Sequence, residues 1–342
     1  MKAARIEGDE VRIVDVPVPE PGDGEALVKI SATGVCHSDL HLARGDWMGI
    51  RGTGVIGHEA IGVVEALGPG ADRPVAVGDR VIRGRGGAGG GYWCGACTWC
   101  LAGHPRHCSQ ATAIMGTFAE YFTVGAQSLV TLPDEIDDLE APLACGGLTA
   151  YGAVKKLTEH RVLPGSPVAV IGAAGGLGHY AVQIATAFGY DVIGVDVGEE
   201  RLDFVKSLGA VRAVNPDEAV QVMQREYGGA AASLVFAARI AGFRLGFDVL
   251  GQRGLFVAVG LPPTSDGNLE LAPFEMFSKD PTIIFSAVGT VQDMREVVAL
   301  VAAGKVKSHV SRTGGLSEIG AIFDELEASQ YLGRAVITDL GA

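Results

Sequence analysis

Four of the six cysteines lie close together, and their spacing suits a metal site. Thiolates so near each other can close a tetrahedral Zn²⁺ site that has no open position, and such a site stabilises folding. An iron–sulfur cluster and unrelated buried thiols are the alternatives, but the last spacing differs from an iron–sulfur motif and no second set exists. We therefore predict structural zinc at Cys94, Cys97, Cys100 and Cys108.

The other two cysteines suggest a second metal site of a different kind. Cys36 and Cys145 stand far from the cluster, and His58 offers an imidazole from the same β-rich region. Two thiolates and one imidazole leave a fourth position open for water or substrate, which is typical of catalytic zinc. Spacing alone does not group these residues, because isolated buried Cys and His residues are commoner than ligands.

A glycine-rich turn between a buried strand and a helix indicates dinucleotide binding. Glycines allow the backbone to approach a pyrophosphate, whose charge is stabilised at the helix N-terminus. Asp196 ends the next strand and could accept hydrogen bonds from ribose hydroxyls, which favours NAD because a carboxylate repels a 2′-phosphate. Arg201 could contact either ribose or phosphate, and a tight turn with a solvent-facing Asp196 is the alternative. The predicted contacts of the turn are Gly172, Gly175, Gly176, Leu177 and Gly178.

These residues must be positioned by elements of two kinds. Up to about residue 145, short alternating strands such as 25–30 and 61–66 predict a partly open, barrel-like β domain. From about 148 to 285, strands alternate with helices, which predicts a parallel sheet covered by helices. The strands of this second region are expected at 168–171, 191–195, 234–236 and 255–259, and its helices at 180–188 and 201–208. The remainder has helical periodicity at 294–303 and 319–326 and a strand at 334–338.

Composition and charge narrow the classes of function. The 342 residues include 50 glycines, 48% are hydrophobic and the formal net charge is −13. This charge would repel a phosphate backbone, so no nucleic-acid partner is expected. The first residues lack the apolar segment of a signal peptide, and polar residues and glycines interrupt the most apolar stretch, 168–195. We expect a cytoplasmic protein without membrane association, in which the cysteines stay reduced.

Several motifs together resemble one known family. In order and spacing they are similar to those of the zinc-dependent medium-chain alcohol dehydrogenases, and they cover nearly the whole chain. The resemblance implies an α/β protein in which a GroES-like, β-rich catalytic domain (1–147 and 286–342) surrounds a doubly wound Rossmann NAD-binding domain (148–285). The motifs are residues 36–41, 57–62 and 143–151, the four-cysteine run and the glycine-rich turn.

The resemblance assigns roles around the catalytic metal. It implies that Cys36, His58 and Cys145 bind catalytic zinc, so that each chain holds two Zn²⁺ ions. Glu59 matches an acid behind the metal, and Asp39 matches the carboxylate that orients His58 and fixes its tautomer. For both acids the alternative is a solvated carboxylate on a loop.

It also implies a reaction. Zinc lowers the pKa of a bound alcohol, and the proton passes through Ser38 and the nicotinamide ribose to His41. Hydride moves to NAD, so that primary or secondary alcohols are reversibly converted to aldehydes or ketones. His41 could instead be an ordinary surface histidine.

The resemblance extends to residues that contact the cofactor and the substrate. His37 and Arg334 match contacts to the pyrophosphate, with ordinary surface cations as the alternative. Val259, at the end of a predicted strand, is a further expected NAD contact. Trp47 occupies a substrate-pocket position, although a Trp at the edge of the core is the other interpretation. The short segment 108–116 resembles the microbial branch of the family, which is tetrameric, so a homotetramer is expected.

The sequence departs from the family pattern at two places. Segment 83–93 is longer and richer in glycine than the family's aromatic-bearing segment, which helps to line the substrate pocket. Arg239 stands where a small hydroxyl residue is common, and it either alters the adenine side or faces solvent.

Other activities fit less well. A polyol dehydrogenase is the nearest alternative, but that branch usually has an acidic third ligand where Cys145 stands. A zinc-free quinone reductase would not need the ligands, and a scaffold that had lost catalysis would not need Ser38 and His41. A zinc-ribbon module that binds nucleic acid conflicts with the negative charge.

Overall fold

The chain folds into two compact units in a computed structural model that describes residues 1–8, 10–48, 52, 54–71, 74–84, 91–113 and 115–341. The first unit combines residues 1–148 with 288–342, and the second consists of residues 149–287. The C-terminal part of the chain therefore returns to the unit in which the chain begins.

The described residues form strands and helices with the following bounds. The strands are β1 (Lys2–Glu7), β2 (Glu10–Asp15), β3 (Glu25–Val35), β4 (Gly54–Val55), β5 (Ala60–Leu67), β6 (Arg80–Arg83), β7 (Tyr121–Gly125), β8 (Leu129–Thr131), β9 (Pro167–Ile171), β10 (Asp191–Val195), β11 (Arg212–Val214), β12 (Ala230–Val235), β13 (Leu250–Ala258), β14 (Thr282–Phe285), β15 (Val310–Gly315) and β16 (Arg334–Asp339). The helices are α1 (His37–Arg44), α2 (Thr98–Leu101), α3 (Gly146–Glu159), α4 (Gly178–Ala187), α5 (Glu199–Ser207), α6 (Pro216–Tyr227), α7 (Ile240–Asp248), α8 (Pro273–Lys279), α9 (Val291–Ala302) and α10 (Ile319–Glu327). Among these helices, none has the length and apolar character that crossing a membrane requires.

The first unit is built on a seven-stranded sheet. Six strands follow the order β15–β16–β3–β5–β6–β8, and β7 also pairs with β3. The pairs are antiparallel except β15 with β16. A smaller sheet has the order β2–β1–β4. Apolar side chains from β3, β5, β7 and α10 form the core of this unit, including Val28, Val64, Phe122 and Ile322.

Strand β3 runs five residues further than the alternating pattern predicts. The expected strand ended at Ile30, but the observed strand continues to Val35. Residues 32–35 are all buried, so hydropathy no longer alternates along this half of the strand. The extension matters for function because it carries the chain to Cys36.

The second unit has the topology expected of a dinucleotide-binding fold. Its six strands are all parallel and follow the order β11–β10–β9–β12–β13–β14. The chain moves outward from β9 to one edge and then returns to build the other half, so the strand order reverses between β9 and β12. Ligands of such sheets bind at the carboxyl ends of the strands beside this reversal. The parallel sheet predicted from the sequence is therefore confirmed, and β10 has the predicted bounds.

Candidate metal centres and cofactor loop

The four clustered cysteines lie at metal-site distances from one another. The Sγ atoms of Cys97 and Cys100 are 3.5 Å apart, those of Cys94 and Cys108 are 3.6 Å apart, and those of Cys94 and Cys100 are 3.9 Å apart. Tetrahedral zinc with Zn–S bonds of about 2.3 Å would separate its sulfurs by about 3.8 Å. All four thiols are free of disulfides. The lobe therefore fits a four-thiolate zinc site.

Backbone amides in this lobe favour the ionised form that a metal requires. Hydrogen bonds from the amides of Ala96 and Cys97 lower the pKa of Cys94 to about 6. The amide of Gln110 donates to Cys108 Sγ at 3.4 Å. Amide donors to sulfur stabilise a thiolate relative to a thiol.

Replacing one of these thiols tests the structural role of the lobe. We expect Cys97→Ser to lower the zinc content by one ion per chain and to lower Tm by about 5 °C or more, because metal binding contributes folding free energy. Metal analysis and thermal unfolding measure the two effects. The exposed neighbour Ser109 provides the control variant Ser109→Ala. Unchanged zinc content in Cys97→Ser would contradict the assignment.

The second group of ligands is brought together from three distant parts of the first unit. One donor atom from each of Cys36, His58, Glu59 and Cys145 lies within 4.8 Å of the others. Cys36 precedes α1, His58 and Glu59 precede β5, and Cys145 follows the 3-10 segment Asp138–Ala144. Two thiols, an imidazole and a carboxylate form a donor set that zinc accepts, so these residues fit the metal.

Asp39 connects two of these ligands. Its Oδ1 lies 2.6 Å from His58 Nδ1, and its Oδ2 accepts a hydrogen bond from the Cys36 amide at 3.1 Å. Burial lowers the pKa of His58, but the charges of Asp39 and Cys145 outweigh it and raise that pKa well above its usual value. Because Asp39 occupies Nδ1, the atom left for a metal is Nε2. Asp39 is fully buried, so the alternative of a solvated loop acid is wrong.

Glu59 is also buried, and it pairs with Arg334. Nη2 of Arg334 donates to Oε2 of Glu59, and the two side chains are 3% and 0% exposed. Burial raises the pKa of Glu59 to about 7, and the charge of Arg334 opposes this rise. A Cβ at Gly34 would lie 2.0 Å from Oε2, so only glycine leaves room for this carboxylate. Solvated-acid and surface-cation interpretations of Glu59 and Arg334 are therefore wrong.

The residues predicted to move a proton lie on one helix. Ser38 and His41 are three residues apart on α1 and thus share a face. His41 Nδ1 lies 2.8 Å from Asp46 Oδ2, and within the described part of the chain no residue hydrogen-bonds to its buried Nε2. The ring of Trp47 lies 4.9 Å from that of His41. His37, at the start of the helix, is exposed.

The glycine-rich turn is held to Asp196 by a direct hydrogen bond. Gly172 has φ of +82°, a conformation that favours glycine. The Ala174 amide donates to Asp196 Oδ2 at 2.8 Å, and Nη1 of Arg201 lies 4.0 Å from Oδ1. The Asp196 side chain is only 10% exposed, so it does not project freely into solvent. The acid and the turn therefore form one cradle at the carboxyl ends of β9 and β10.

Three further predictions from the sequence concern Val259, Arg239 and segment 83–93. Val259 follows β13, is buried, and donates its amide to Val235 O at 3.0 Å. The Arg239 side chain is 74% exposed and donates to Asp266 Oδ1, so it faces solvent. Within segment 83–93, residues 85–90 lie outside the described residues. Arg83 is described, and its burial was not foreseen because a charged residue at a strand end is normally taken to face water.

Comparison with known proteins gives a consistent result. The family model of the alcohol dehydrogenase GroES-like domain matches residues 22–134, and that of the zinc-binding dehydrogenases matches residues 176–303. An alcohol dehydrogenase of Geobacillus stearothermophilus is 38% identical over 98% of this chain and 99% of that protein.

Solved structures agree with these matches. The alcohol dehydrogenase of the hyperthermophilic archaeon Aeropyrum pernix superposes with a TM-score of 0.88 at 32% identity, covering 99% of this chain and 100% of that chain. An acetophenone reductase from Geotrichum candidum in complex with NAD has a TM-score of 0.84 at 29% identity, covering 99% and 97%. The expected GroES-like and Rossmann folds are thereby confirmed, and the chain belongs to the zinc-dependent medium-chain alcohol dehydrogenase family.

Proposed function

We propose that this protein is an NAD-dependent dehydrogenase that converts primary or secondary alcohols reversibly to aldehydes or ketones at a catalytic zinc. The observation that carries this proposal is the convergence of Cys36, His58 and Cys145 with Asp39 behind the imidazole. Two soft thiolates and an imidazole hold a zinc ion while leaving a position for substrate.

The protein's own residues have distinct tasks in this reaction. When bound, zinc supplies a Lewis acid and NAD supplies a hydride acceptor. Ser38 Oγ accepts the proton from the substrate hydroxyl, and His41 receives it at Nε2. Asp46, which is hydrogen-bonded to His41 Nδ1, orients the ring so that Nε2 can take up this proton. Trp47, packed against His41, lines the substrate pocket.

NAD binding is assigned to the glycine-rich turn and the residues around it. Gly172, Gly175, Gly176, Leu177 and Gly178 cradle the pyrophosphate at the start of α4. Asp196 accepts hydrogen bonds from the adenosine ribose, with Arg201 beside it. His37 and Arg334 add positive charge for the pyrophosphate, and Val259 adds an apolar contact.

Replacing Asp196 tests the cofactor preference. We expect Asp196→Ala to raise the ratio of kcat/KM with NADP to that with NAD by about tenfold or more, because the repulsion of a 2′-phosphate is removed. Steady-state kinetics with both cofactors measure the ratio. Asp191→Ala, at the exposed start of the strand that Asp196 follows, is the control. An unchanged ratio in Asp196→Ala would place the adenosine ribose elsewhere.

The proposal includes the stoichiometry and the assembly. Two donor clusters support a content of two Zn²⁺ ions per chain. A homotetramer is supported by the short segment 108–116 and by exposed aromatic rings, including Phe274, Phe277 and Phe285, at 82%, 84% and 74%. Six cysteines that form no disulfide suit a reducing compartment such as the cytoplasm. We assign residues 1–147 and 286–342 to catalysis and residues 148–285 to NAD.

The test is NAD reduction, followed by absorbance, with a panel of primary, secondary and aromatic alcohols. Matched samples contain NADP or protein treated with a chelator. We expect turnover with NAD that disappears after chelation. If protein holding two zinc ions per chain shows no turnover in either direction with any alcohol or carbonyl, the proposal is wrong. A single species of one chain's mass in sedimentation would contradict the tetramer.

A further inference from the structure

Arg83 is buried in the first unit, and no described residue forms a hydrogen bond with its side chain. Its side chain is 1% exposed and is the largest fully buried side chain of the described residues. Of the residues that the structure describes, none accepts a hydrogen bond from Nε, Nη1 or Nη2. A guanidinium stays charged inside proteins, and an unpaired buried charge is strongly unfavourable. An acceptor supplied by a ligand would remove this imbalance.

Arg83 lies beside the metal-binding cluster. Strand β6 ends at Arg83, and because Ile82 faces Ile61 in antiparallel register, Arg83 is level with Ala60, two residues after His58. Burial lowers the pKa of Arg83 to about 10, and the charges of Cys145, Glu59 and Asp39 oppose this effect. The three carboxylate or thiol groups that act on Arg83 therefore all belong to the candidate catalytic site or to its support.

These groups already have other partners. Glu59 accepts from Arg334, and Asp39 accepts from His58 and from the Cys36 amide. Cys145 is part of the donor set for the metal. Long-range attraction thus lessens the cost of burying Arg83, but the described residues leave its five N–H donors without acceptors.

The sequence that follows Arg83 offers no acidic side chain that could pair with it. Of residues 84–91, six are Gly, one is Ala and one is Arg, so no carboxylate side chain stands in this stretch. The related family carries an aromatic residue here that helps to line the substrate pocket. In this chain Arg83 stands at the start of the segment, a second cation follows at Arg85, and aromatic side chains return only at Tyr92.

We propose that Arg83 is a specificity-determining residue that binds the carboxylate of an anionic substrate, so that the enzyme acts on hydroxycarboxylic acids and the corresponding oxo acids. The planar guanidinium donates two parallel hydrogen bonds to a carboxylate, and shielding from water strengthens them. This inference rests on the proposed dehydrogenase function.

The chemistry at the alcohol is unchanged by this recognition. A hydroxy acid loses hydride from its carbinol carbon to NAD⁺, giving NADH, and loses the hydroxyl proton, which passes through Ser38 to His41. The carbinol becomes a carbonyl. The carboxylate at the other end of the substrate stays ionised and bound to Arg83.

The first experiment compares short ω-hydroxycarboxylates with primary alcohols and hydroxy esters of the same length. We expect at least one hydroxy acid to exceed its neutral counterpart in kcat/KM by about tenfold or more, which is the worth of one charge-assisted hydrogen-bonded pair. Turnover of neutral alcohols without any preference for the acids would overturn the inference while leaving the proposed function intact. No turnover of any substrate would count against the proposed function itself.

Variants of Arg83 then locate the recognition. In Arg83→Met we expect the acid-to-neutral ratio of kcat/KM to fall by about tenfold or more, mainly through KM for the acid, and in Arg83→Lys to fall less. Calorimetric binding of the hydroxy acid without NAD, where no turnover occurs, should weaken in parallel. Arg80→Met, on the same strand but paired with Asp138, is the control, and we expect its ratio to be unchanged.

An equal loss for acid and neutral substrates in Arg83→Met would make Arg83 a counter-charge of the metal cluster and overturn the proposal. If Arg83→Met does not fold, the Arg83→Lys ratio and the wild-type preference decide.

Discussion

Cys145→Ala is expected to lower kcat/KM for alcohols by at least about a thousandfold. The thiol is one of three soft donors in the cluster with Cys36 and His58. Lewis-acid stabilisation by a metal is worth several kcal/mol, and each 1.4 kcal/mol corresponds to a factor of about ten in rate. Zinc content should fall from two ions per chain to one. NAD reduction and metal analysis of the same preparation measure both effects.

The fold should survive this substitution. Cys145 is half-buried at the end of the 3-10 segment Asp138–Ala144, and Ala fits there without a clash. We therefore expect near-native circular dichroism and intact NAD binding, which separates loss of metal from loss of structure. The matched control is Cys108→Ala, which removes zinc from the other lobe and should act mainly on stability. Full activity in Cys145→Ala would show that the catalytic metal is held elsewhere.

The two metal clusters differ in how far spacing alone could predict them. Cys94, Cys97, Cys100 and Cys108 are neighbours in the chain, so a short loop brings their sulfurs together whatever the rest of the fold does. Cys36 and Cys145 are brought together only by tertiary structure. Cys36 follows the end of β3, and Cys145 directly precedes α3. The grouping therefore depended on resemblance to a family, not on local geometry.

Buried charge was the feature that the sequence revealed least. Polar side chains are normally solvated, so a solvent-exposed position without a functional role was the alternative for Asp39, Glu59 and Arg334. Their burial follows from contacts between parts of the chain distant in sequence, such as β16 with the residue before β5 in the Arg334–Glu59 pair. Arg83 had no predicted role at all. A basic residue directly after Val81 and Ile82, both buried, was the one available signal.

The glycine-rich turn shows the opposite case, because local sequence alone predicts it, and the structure adds that its glycines have different roles. A Cβ at Gly178 would lie 2.0 Å from Gly172 O and 2.8 Å from Ala173 Cα. These are backbone atoms, which cannot rotate away. A Cβ at Gly175 would meet only Gly172 O, at 3.3 Å. Gly178 thus allows α4 to pack against the turn, whereas Gly175 leaves space beside the turn open for a ligand.

We therefore expect Gly178→Ala to lower Tm by about 5 °C or more and to abolish NAD-dependent turnover, because the turn and α4 must separate to accommodate the methyl group. Gly175→Ala should keep Tm within about 2 °C of the wild type and raise KM for NAD by about tenfold or more, since the added methyl group occupies the space of the pyrophosphate. Thermal unfolding without cofactor and steady-state kinetics with varied NAD distinguish the two variants. Equal destabilisation by both substitutions would mean that the turn is uniformly packed, and unchanged KM in Gly175→Ala would place the pyrophosphate away from this turn.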